Sequence, residues 1–291
     1  MVAGDLRGIR RSFDRAASSY DAAAVLQFEI RALLLERLKL TALTPALVLD
    51  AGAGTGHASY VLKRRYPKAQ VLAIDASHGM LRVAAKQNSW WHPIGRVCAN
   101  LGVLPLATAS VDLIISNLAL HWCDPEAVFA EFRRVLAPQG FLSFSSFGPE
   151  TLRELRTAWA RIDSHDHVNT FIDMHDLGDA LVRAGFKGPV LDMDRYTLKY
   201  KNVSALTQDL KAMGTTQVLG RQLKGLTGSA KPRRMAAAYE EFRQEGLLPA
   251  TYEVIFGQAW APTTNTQLQA EEGATVSLQE MKRQLNSRST R

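Results

Sequence analysis

The sequence predicts an α/β protein with a doubly wound, mostly parallel sheet of seven strands. Three features predict it: a buried-strand pattern that runs into a glycine-rich turn at 47–56, a regular alternation of strand-like and helix-like segments after that turn, and two strand-like segments late in the chain. This alternation is typical of a parallel sheet with helices on both faces. We expect an amino-terminal helical cap and a small helical lid around that core.

The cap comes first along the chain, because residues 5–40 place apolar side chains at helical spacing. We assign the cap to 1–44 and the α/β core to 45–200. The spacing of apolar residues then predicts the individual elements. The predicted strands are 47–50, 70–75, 95–99, 111–116, 140–146, 190–200 and 251–259, and the predicted helices are 56–65, 78–86, 125–136, 150–162 and 175–184.

Three ranges complete the predicted organisation. Residues 201–248 show no strand pattern and contain short helical stretches broken by glycines, so we assign them to the lid. Residues 249–260 return to the core as its last strand. Residues 261–291 turn polar, and we expect them to be disordered.

Composition excludes several classes of protein. The 291 residues are 46% hydrophobic and suffice for one large α/β domain with an added part. No apolar run approaches the roughly 18 residues that a membrane span needs, and the first residues, MVAGDLRGIRRSFDR, lack the apolar core of a signal peptide. With only Cys98 and Cys123, neither a disulfide framework nor a paired-cysteine zinc site is expected. His165 and His167 lie in an acidic loop that we interpret as solvated, so we expect no metal. A cytoplasmic protein that does not bind a membrane fits best.

The glycine-rich turn, LVLDAGAGTG at 47–56, is the most informative motif. A continuous apolar run suits a strand buried on both faces, and Asp50 follows it. Gly52, Gly54 and Gly56 let the backbone turn where a side chain would collide with a ligand. Dinucleotide sites use Gly-x-Gly-x-x-Gly to hold a phosphate. The Gly-x-Gly-x-Gly spacing with an acid two residues upstream favours a positively charged ligand, and it resembles the first motif of the S-adenosylmethionine (SAM)-dependent methyltransferases.

Polar side chains follow four consecutive predicted strands. Ligands of open α/β sheets bind at the carboxyl ends of the strands. Asp75 offers two acceptor oxygens for the hydroxyls of a ribose. Asn100 is placed to read the edge of an adenine, although asparagine is also common in turns for local reasons. The four residues are Asp50, Asp75, Asn100 and Asn117.

Four stretches together resemble the class I SAM-dependent methyltransferases, which have a Rossmann-like sheet of seven strands. They are LDAGAGTG, AIDAS with Met80 beyond it, ANLGVLPL and VDLIISNLALHW, and they span roughly 45–150. The resemblance implies SAM as the cofactor. Many relatives carry Asp at the position of Asn100, where an amide still offers a hydrogen bond. Beside the glycines and the strand-end residues, the resemblance places Ala53, Ala76, Met80 and Leu101 at the cofactor.

The flanking segments are similar to a narrower family, the malonyl-[acyl-carrier-protein] O-methyltransferases of biotin synthesis. The segments are FDRAASSYDAAAVLQ (13–27), SSFGPETLREL (145–155), HDLGDALVRAGF (175–186), DLKAMGTTQ (209–217) and TYEVIFGQAW (251–260). The resemblance implies methyl transfer from SAM to the free carboxylate of a malonyl thioester on acyl carrier protein. It also implies that Tyr20 and Gln27 belong to a cap that closes over SAM.

This chemistry requires no catalytic base, because a carboxylic acid of reference pKa ~4 is ionised at pH 7. We therefore assign no catalytic residue. The site instead needs a cation that holds one carboxylate oxygen, and Lys211 and Arg221 in the lid are the candidates. We expect His121 and Trp122 to line the substrate pocket.

A basic segment runs from Arg195 through Arg234. It holds nine Lys or Arg against one acid, Asp209, which gives a local charge of +8. Acyl carrier proteins are acidic, so we expect this lid surface, 195–234, to bind malonyl-acyl carrier protein and to speed the encounter. Nucleic-acid binding is not expected, because aromatic residues are not interleaved with the basic ones.

Three other hypotheses stay open at this point. The FGPETL-, DLGDAL- and DLKAMG-like stretches are also similar to mitochondrial complex I assembly factors, which are associated with hydroxylation of a protein arginine. A small-molecule SAM methyltransferase would act on a quinone or a carboxylic acid without a carrier. A fold that has lost catalysis and serves as an assembly partner would not bind SAM, and the intact glycines argue against it.

Overall fold

The computed structural model describes residues 6–86, 93–215 and 230–263. Its strands, in chain order, are β1 (Leu47–Ala51), β2 (Gln70–Asp75), β3 (Gly95–Cys98), β4 (Val111–Asn117), β5 (Leu136–Phe147), β6 (Lys187–Tyr200) and β7 (Leu248–Trp260). They form one seven-stranded sheet in the order β3-β2-β1-β4-β5-β7-β6. β1 to β5 pair in parallel, and β7 lies antiparallel between β5 and β6. The predicted fold class is confirmed.

Helices precede the sheet and connect its strands. They are α1 (Leu6–Ala16), α2 (Tyr20–Ala23), α3 (Val25–Arg37), α4 (His57–Arg65), α5 (His78–Lys86), α6 (Pro125–Val135), α7 (Arg153–Ala160), α8 (Met174–Arg183), α9 (Val203–Ala212) and α10 (Ala230–Tyr239), with 3₁₀ turns at Leu38–Leu40, Leu120–Trp122 and Glu240–Phe242. In the described ranges, no helix is long and apolar enough to cross a membrane.

The predicted elements differ from the observed ones mainly at their ends. The helix predicted over 150–162 begins only at Arg153, because Leu152 before it has a φ of 54°, outside the helical range. The strand predicted over 140–146 already begins at Leu136, which pairs with Val111 of β4. Of the tail predicted to be disordered, 264–291 lies outside the described residues.

Two hydrophobic clusters support the sheet from its two faces. Val48 of β1 belongs to the cluster that includes Ile30 and Leu34 of α3, whereas its neighbour Leu49 belongs to the cluster that includes Phe129 of α6. All five side chains are excluded from solvent. Successive residues of a strand face opposite sides of the sheet, so Val48 and Leu49 each pack into one of the two clusters and are both apolar. This explains the unbroken apolar run before the glycines. Truncating a buried phenylalanine such as Phe129 to alanine typically costs about 3–5 kcal/mol.

The strand order reverses between β1 and β4. From β1 the sheet extends to β2 and β3 on one side, and to β4 and β5 on the other. Ligands of open α/β sheets bind in the crevice at such a reversal, beyond the carboxyl ends of the strands. The turn after β1 and the loop after β4 therefore meet where a ligand is expected.

The amino-terminal helices are attached to this crevice by two carboxylates. Asp14 of α1 accepts a hydrogen bond from the amide of Gly79 at the start of α5 (2.8 Å). Asp21 of α2 accepts one from Thr55 Oγ1 in the glycine turn (2.6 Å) and lies 3.2 Å from His57 Nε2. These contacts hold the cap directly over the predicted cofactor loops.

The helices predicted to form one lid, 201–248, contact two different parts of the molecule. At the end of α9, the carbonyl of Ala212 accepts a hydrogen bond from Ser19 Oγ of the cap (3.0 Å). α10 instead packs against α7 and buries Met235 and Tyr239. Residues 216–229 of the connection between α9 and α10 lie outside the described residues. The division into cap, core and lid stays a prediction.

Candidate functional site

A cavity of about 420 Å³ opens at the crevice between β1 and β4. Its core wall is formed by the strand ends and the loops that follow them. Its cap wall is formed by Leu6, Arg7, Ile9, Arg10, Phe13, Tyr20, Gln27 and Thr215. Twelve of the predicted site residues line the cavity: Tyr20, Gln27, Gly52, Gly54, Asp75, Ala76, Met80, Asn100, Leu101, Asn117, His121 and Trp122.

The three glycines of the turn have positive φ angles of 76°, 54° and 82°, which side chains rarely adopt. They differ in what a side chain would meet. A Cβ at Gly52 would lie 2.2 Å from Ala119 Cβ, and one at Gly56 would lie 2.7 Å from Ala84 Cβ. At Gly54 no atom lies within 4 Å, and this residue lines the cavity. Gly52 and Gly56 are therefore required by packing, whereas Gly54 leaves open space beside the cavity.

Asp75, at the end of β2, presents its carboxylate to the cavity. Oδ2 accepts a hydrogen bond from the amide of Gly54 (2.8 Å), and Oδ1 accepts one from the amide of Ser77 (2.7 Å). Burial raises the pKa of this carboxyl, and these two amides act in the opposite direction. Each carboxylate oxygen has two lone pairs, so Asp75 can fix the glycine turn and still accept hydrogen bonds from two ligand hydroxyls.

Asp50, Ala53 and Gly56 were expected at the cofactor, but the structure places them outside the cavity lining. Asp50 is buried behind the turn, where its carboxylate accepts a hydrogen bond from Ser59 Oγ at 2.5 Å. Burial raises the pKa of Asp50 to about 6, partly offset by that hydrogen bond. The carboxylate of Asp50 thus contacts α4 and stabilises the packing behind the glycine turn.

Gln27 and Asn117 connect the cap wall to the core wall. Asn117 Nδ2 donates to the carbonyl of Gln27 (3.2 Å), and Asn117 Oδ1 accepts from Ser145 Oγ (2.9 Å). Gln27 Nε2 contacts Met213 Sδ at 3.1 Å. Within the described residues, the buried Oε1 of Gln27 has no hydrogen-bond partner. A buried acceptor without a donor is costly, so a ligand that donates a hydrogen bond fits at this point.

Two further predicted cofactor residues have local explanations as well. Asn100 Oδ1 accepts a hydrogen bond from the amide of Gly102 (3.0 Å), which stabilises the turn after β3. Burial raises the pKa of the Tyr20 hydroxyl above its usual range, and Asp75 and Asp21 add to this effect. Tyr20 is therefore a neutral hydrogen-bond donor at pH 7.

The loop after β4 forms an aromatic end of the cavity. The ring of His121 lies 5.1 Å from Trp122, 4.8 Å from Phe147 and 5.7 Å from Phe171, measured between centroids. Burial lowers the pKa of His121 to about 3, so the imidazole is neutral at pH 7. Its Nδ1 is buried and has no partner within the described residues. This end of the cavity is apolar, with one neutral polar group.

The cap wall contains residues that the sequence analysis did not assign. Arg7, Arg10 and Phe13 reach the cavity from α1, and Thr215 reaches it from the segment after α9. The Phe13 ring packs edge-on against Trp122 at 5.5 Å, which joins α1 to the aromatic end. The sequence offered only a weak signal for them, the helical spacing of apolar residues in the cap, which does not show which residues meet a cavity.

The predicted carboxylate-binding residues are not in the described lining. Lys211 is exposed on α9 and does not line the cavity, and Arg221 lies outside the described residues. Two other lysines of the segment 195–234 form ion pairs. Lys199 pairs with Glu245 (3.1 Å) and Lys231 with Asp163 (2.9 Å).

The interpretation of His165 and His167 as one solvated loop is wrong for His167. Its side chain is only 7% exposed and stacks on Trp159, with centroids 3.6 Å apart and ring planes 6° apart. It also hydrogen-bonds to Asp163 (2.8 Å). His165 is exposed. Among the residues that the structure describes, no group of three or more His, Cys, Asp or Glu could hold a metal ion.

Comparison with known proteins agrees with this geometry. A family described as "Methyltransferase domain" matches residues 49–144, which contain most of the core wall. The chain is 49% identical over 271 residues to the malonyl-[acyl-carrier protein] O-methyltransferase of Methylovorus sp., covering 91% of this chain and 92% of the relative. It is 47% identical over 284 residues to the protein of that name from Laribacter hongkongensis, covering 94% and 95%.

The chain belongs to the malonyl-[acyl-carrier protein] O-methyltransferase family. The matches cover 91% and 94% of this chain, far more than the methyltransferase core, so the predicted family is confirmed. A solved structure shares the fold at 14% identity with a TM-score of 0.55, over 87% of this chain and 60% of the other. It is a phosphoethanolamine N-methyltransferase of Haemonchus contortus in complex with S-adenosylhomocysteine.

Proposed function

We propose that this protein transfers a methyl group from SAM to the free carboxylate of a malonyl thioester on acyl carrier protein, forming the methyl ester that enters biotin synthesis. The observation that carries the proposal is one cavity with two unlike ends. One end is polar and suits SAM, and the other is aromatic and contains the neutral His121. The names of the curated relatives support the malonyl acceptor and the carrier.

The polar end fits SAM on three observations. Gln27 Oε1 is a buried acceptor in need of a donor, and the ammonium group of SAM would supply one. Asp75 would hold the ribose hydroxyls with its remaining lone pairs. Gly54, whose amide donates to Asp75, leaves open space beside that carboxylate. When bound, SAM supplies an electrophilic methyl group on a sulfonium.

At the aromatic end, the residues would orient the acceptor and exclude water. The acceptor carboxylate is already ionised at pH 7, so the neutral His121 is needed only as a hydrogen-bond donor. A cation and an anion become neutral products, and apolar surroundings favour that loss of charge. Holding the two reactants in line lowers the activation barrier further, because good alignment can be worth roughly 7–11 kcal/mol. Positioning of this kind needs no titratable catalytic group.

The acceptor carboxylate still needs a cation. Arg7 and Arg10 are the cations of the described lining, and Arg221 remains a candidate outside the described residues. Lys211 would have to reach the cavity from its exposed position on α9. The basic segment 195–234, predicted to bind the carrier, exposes Arg195 and Lys201.

The test is a side-by-side methylation assay with SAM on malonyl-acyl carrier protein, malonyl-coenzyme A and free malonate, with products identified by mass. We expect methyl transfer to the malonyl thioester and the highest kcat/KM with the carrier protein. An Asp75→Ala variant serves as the control for SAM dependence. Intact SAM binding without transfer to any malonyl thioester would refute the proposal. Equal rates with free malonate would favour a small-molecule methyltransferase.

A further inference from the structure

A basic surface lies next to the cavity, on a different element from the basic segment noted in the sequence. α1 carries four arginines, at positions 7, 10, 11 and 15, against one acid, Asp14, a net charge of +3. All four are exposed. We call Arg7, Arg10, Arg11 and Arg15 the α1 arginine face.

The acid of this helix does not neutralise that face. Asp14 faces the core, where it accepts hydrogen bonds from Ser77 Oγ (2.7 Å) and the amide of Gly79 (2.8 Å). Within the described part of the chain, Arg10, Arg11 and Arg15 have no ion-pair partner. Their positive charge is therefore available to a partner.

The arrangement is unfavourable for the helix by itself. Arg7, Arg11 and Arg15 follow one another at the i, i+4 spacing, where like charges cost about 0.2–0.5 kcal/mol per pair. The first turn of α1 contains no acid, although the positive end of the helix dipole favours one there. Ile9, Ser12 and Ala16 anchor the opposite face of the helix in the protein. A negatively charged partner would offset the repulsion on the outer face.

We propose that the α1 arginine face is the docking surface for the acidic carrier protein and that it places the malonyl thioester at the mouth of the cavity. Two of its members, Arg7 and Arg10, line the cavity, so a carrier bound to α1 lies next to the opening. This inference rests on the proposed function, because the carrier is its partner.

The segment 195–234 is less well placed for the same task. Arg195 and Lys199 lie on β6, the edge strand, and β5 and β7 separate it from β4. Three strand spacings of about 4.8 Å put that edge roughly 14 Å from β4. Basic residues on an edge strand also have a structural role, because they discourage pairing with other chains. The exposed Lys211 is an exception, since the end of α9 packs on α1 through Gly214 and Phe13.

The experiment compares two charge reversals. In Arg11→Glu/Arg15→Glu, both substitutions lie on α1 but away from the cavity lining. In the matched control, Arg233→Glu/Arg234→Glu, two exposed arginines of α10 are changed. Each protein is assayed for methylation of malonyl-acyl carrier protein and of malonyl-pantetheine, which lacks a carrier, and for carrier affinity by fluorescence anisotropy.

We expect the α1 variant to raise KM and the dissociation constant for the carrier at least tenfold and to lose most of the salt dependence of KM. Its kcat/KM for malonyl-pantetheine should remain within twofold of wild type. The α10 control should bind the carrier with wild-type affinity. Arg11→Gln/Arg15→Gln, which only removes charge, should show a smaller effect in the same direction, roughly threefold.

Unchanged carrier affinity in the α1 variants would refute the proposed docking surface. An equal loss of carrier affinity in the α10 control would also refute it and would favour the segment 195–234. An equal loss with malonyl-pantetheine would also overturn it, since the effect would then lie in the cavity. Failure of the proposed function has a different signature: the wild-type protein would bind the carrier but transfer no methyl group.

Discussion

The two walls of the cavity are built by different means. The core wall consists of backbone turns and strand ends, supported from behind by side chains without solvent contact such as Val48 and Leu49. The cap wall consists of side chains from α1, α2, α3 and the segment after α9, held to the core by a few polar contacts such as those of Asp14 and Asp21. The first wall is suited to hold the ligands in a fixed position. The second, which includes Gln27, is suited to cover the cofactor and to admit the acceptor.

This difference predicts how each wall responds to substitution. A change in the core wall should alter SAM affinity strongly, because the backbone cannot move without disturbing the buried sheet. A change in the cap wall should alter access and acceptor binding with a smaller effect on SAM. Substitutions in each wall therefore test whether the two walls differ in rigidity.

The largest effect is expected for Gly52→Ala. The new Cβ would lie 2.2 Å from Ala119 Cβ, and φ is +76°. We expect SAM affinity to fall at least 100-fold by calorimetry, together with a lower Tm. Gly246→Ala is the matched control, since φ is +78° and no atom lies within 4 Å of the added Cβ. The Gly246→Ala variant should lose only the cost of the left-handed backbone conformation, about 1–2 kcal/mol. If both variants bind SAM equally, the contact with Ala119 does not matter for binding.

Asp75→Asn should weaken SAM binding by roughly 30-fold, since hydrogen bonds to a charged group are worth about 1.5–3 kcal/mol. Asp112→Asn is the control. Asp112 also accepts two backbone hydrogen bonds, from Ala46 (2.8 Å) and Leu47 (2.9 Å), but at the opposite end of β1. Both variants should lose stability in urea denaturation, but only the first should lose SAM affinity. A similar loss in both would mean that Asp75 acts only through the fold.

The lining residues of the core wall could be predicted from the sequence because the patterns that mark them are local. The spacing of Gly52 and Gly54 and the position of Asp75 at a strand end depend on a few neighbouring residues, and the structure places all three in the lining. The cap wall brings together Arg10 of α1 and Thr215 beyond α9, which are far apart in sequence. Their meeting depends on tertiary packing that no single window of sequence contains.

The same limit explains two differences between expectation and structure. Asp50 lies near the carboxyl end of a strand as Asp75 does, but its carboxylate contacts Ser59 of α4 and does not line the cavity. His167 lies in a polar stretch, yet stacking on Trp159 buries it. In both cases the deciding contact comes from another element, and the polar pattern of the sequence is the same for either outcome.

The buried position of Asp50 should be visible in the pH dependence of stability. Its pKa is about 6 in the folded protein against an ordinary value of 3.8. Between these values the unfolded chain binds fewer protons, so this group lowers the free energy of unfolding as the pH rises. From pH 4.5 to 7.5 the loss is about 2 kcal/mol.

Urea denaturation of wild type and Asp50→Asn at both pH values measures this contribution. The variant should lack that part of the pH dependence, and its stability relative to wild type should improve by about 2 kcal/mol at the higher pH. Asp112→Asn should retain the wild-type dependence, because Asp50 is unchanged in it. An identical pH dependence in wild type and Asp50→Asn would show that Asp50 is ionised normally and that the turn is less enclosed than its burial indicates.

The smallest effect is expected in the cap wall, for Asp21→Asn. Asp21 accepts a hydrogen bond from Thr55 (2.6 Å) and faces His57 (3.2 Å), so it joins α2 to the glycine turn. Asparagine keeps one acceptor but loses the charge, which should cost about 1 kcal/mol. We expect KM for SAM to rise about fivefold while kcat changes less than twofold, because the cap closes less often and the aligned complex is unchanged once closed.

Asp173→Asn provides the control for that substitution. Like Asp21, Asp173 accepts a hydrogen bond and contacts a histidine, His175. Its donor is the backbone amide of His175 rather than a side-chain hydroxyl, and it lies at the start of α8, away from the cavity. It should leave both kinetic parameters at their wild-type values. A fall in kcat as large as the rise in KM for Asp21→Asn would mean that the cap wall aligns the reactants as the core wall does. In that case the contrast between a fixed wall and an admitting wall would fail.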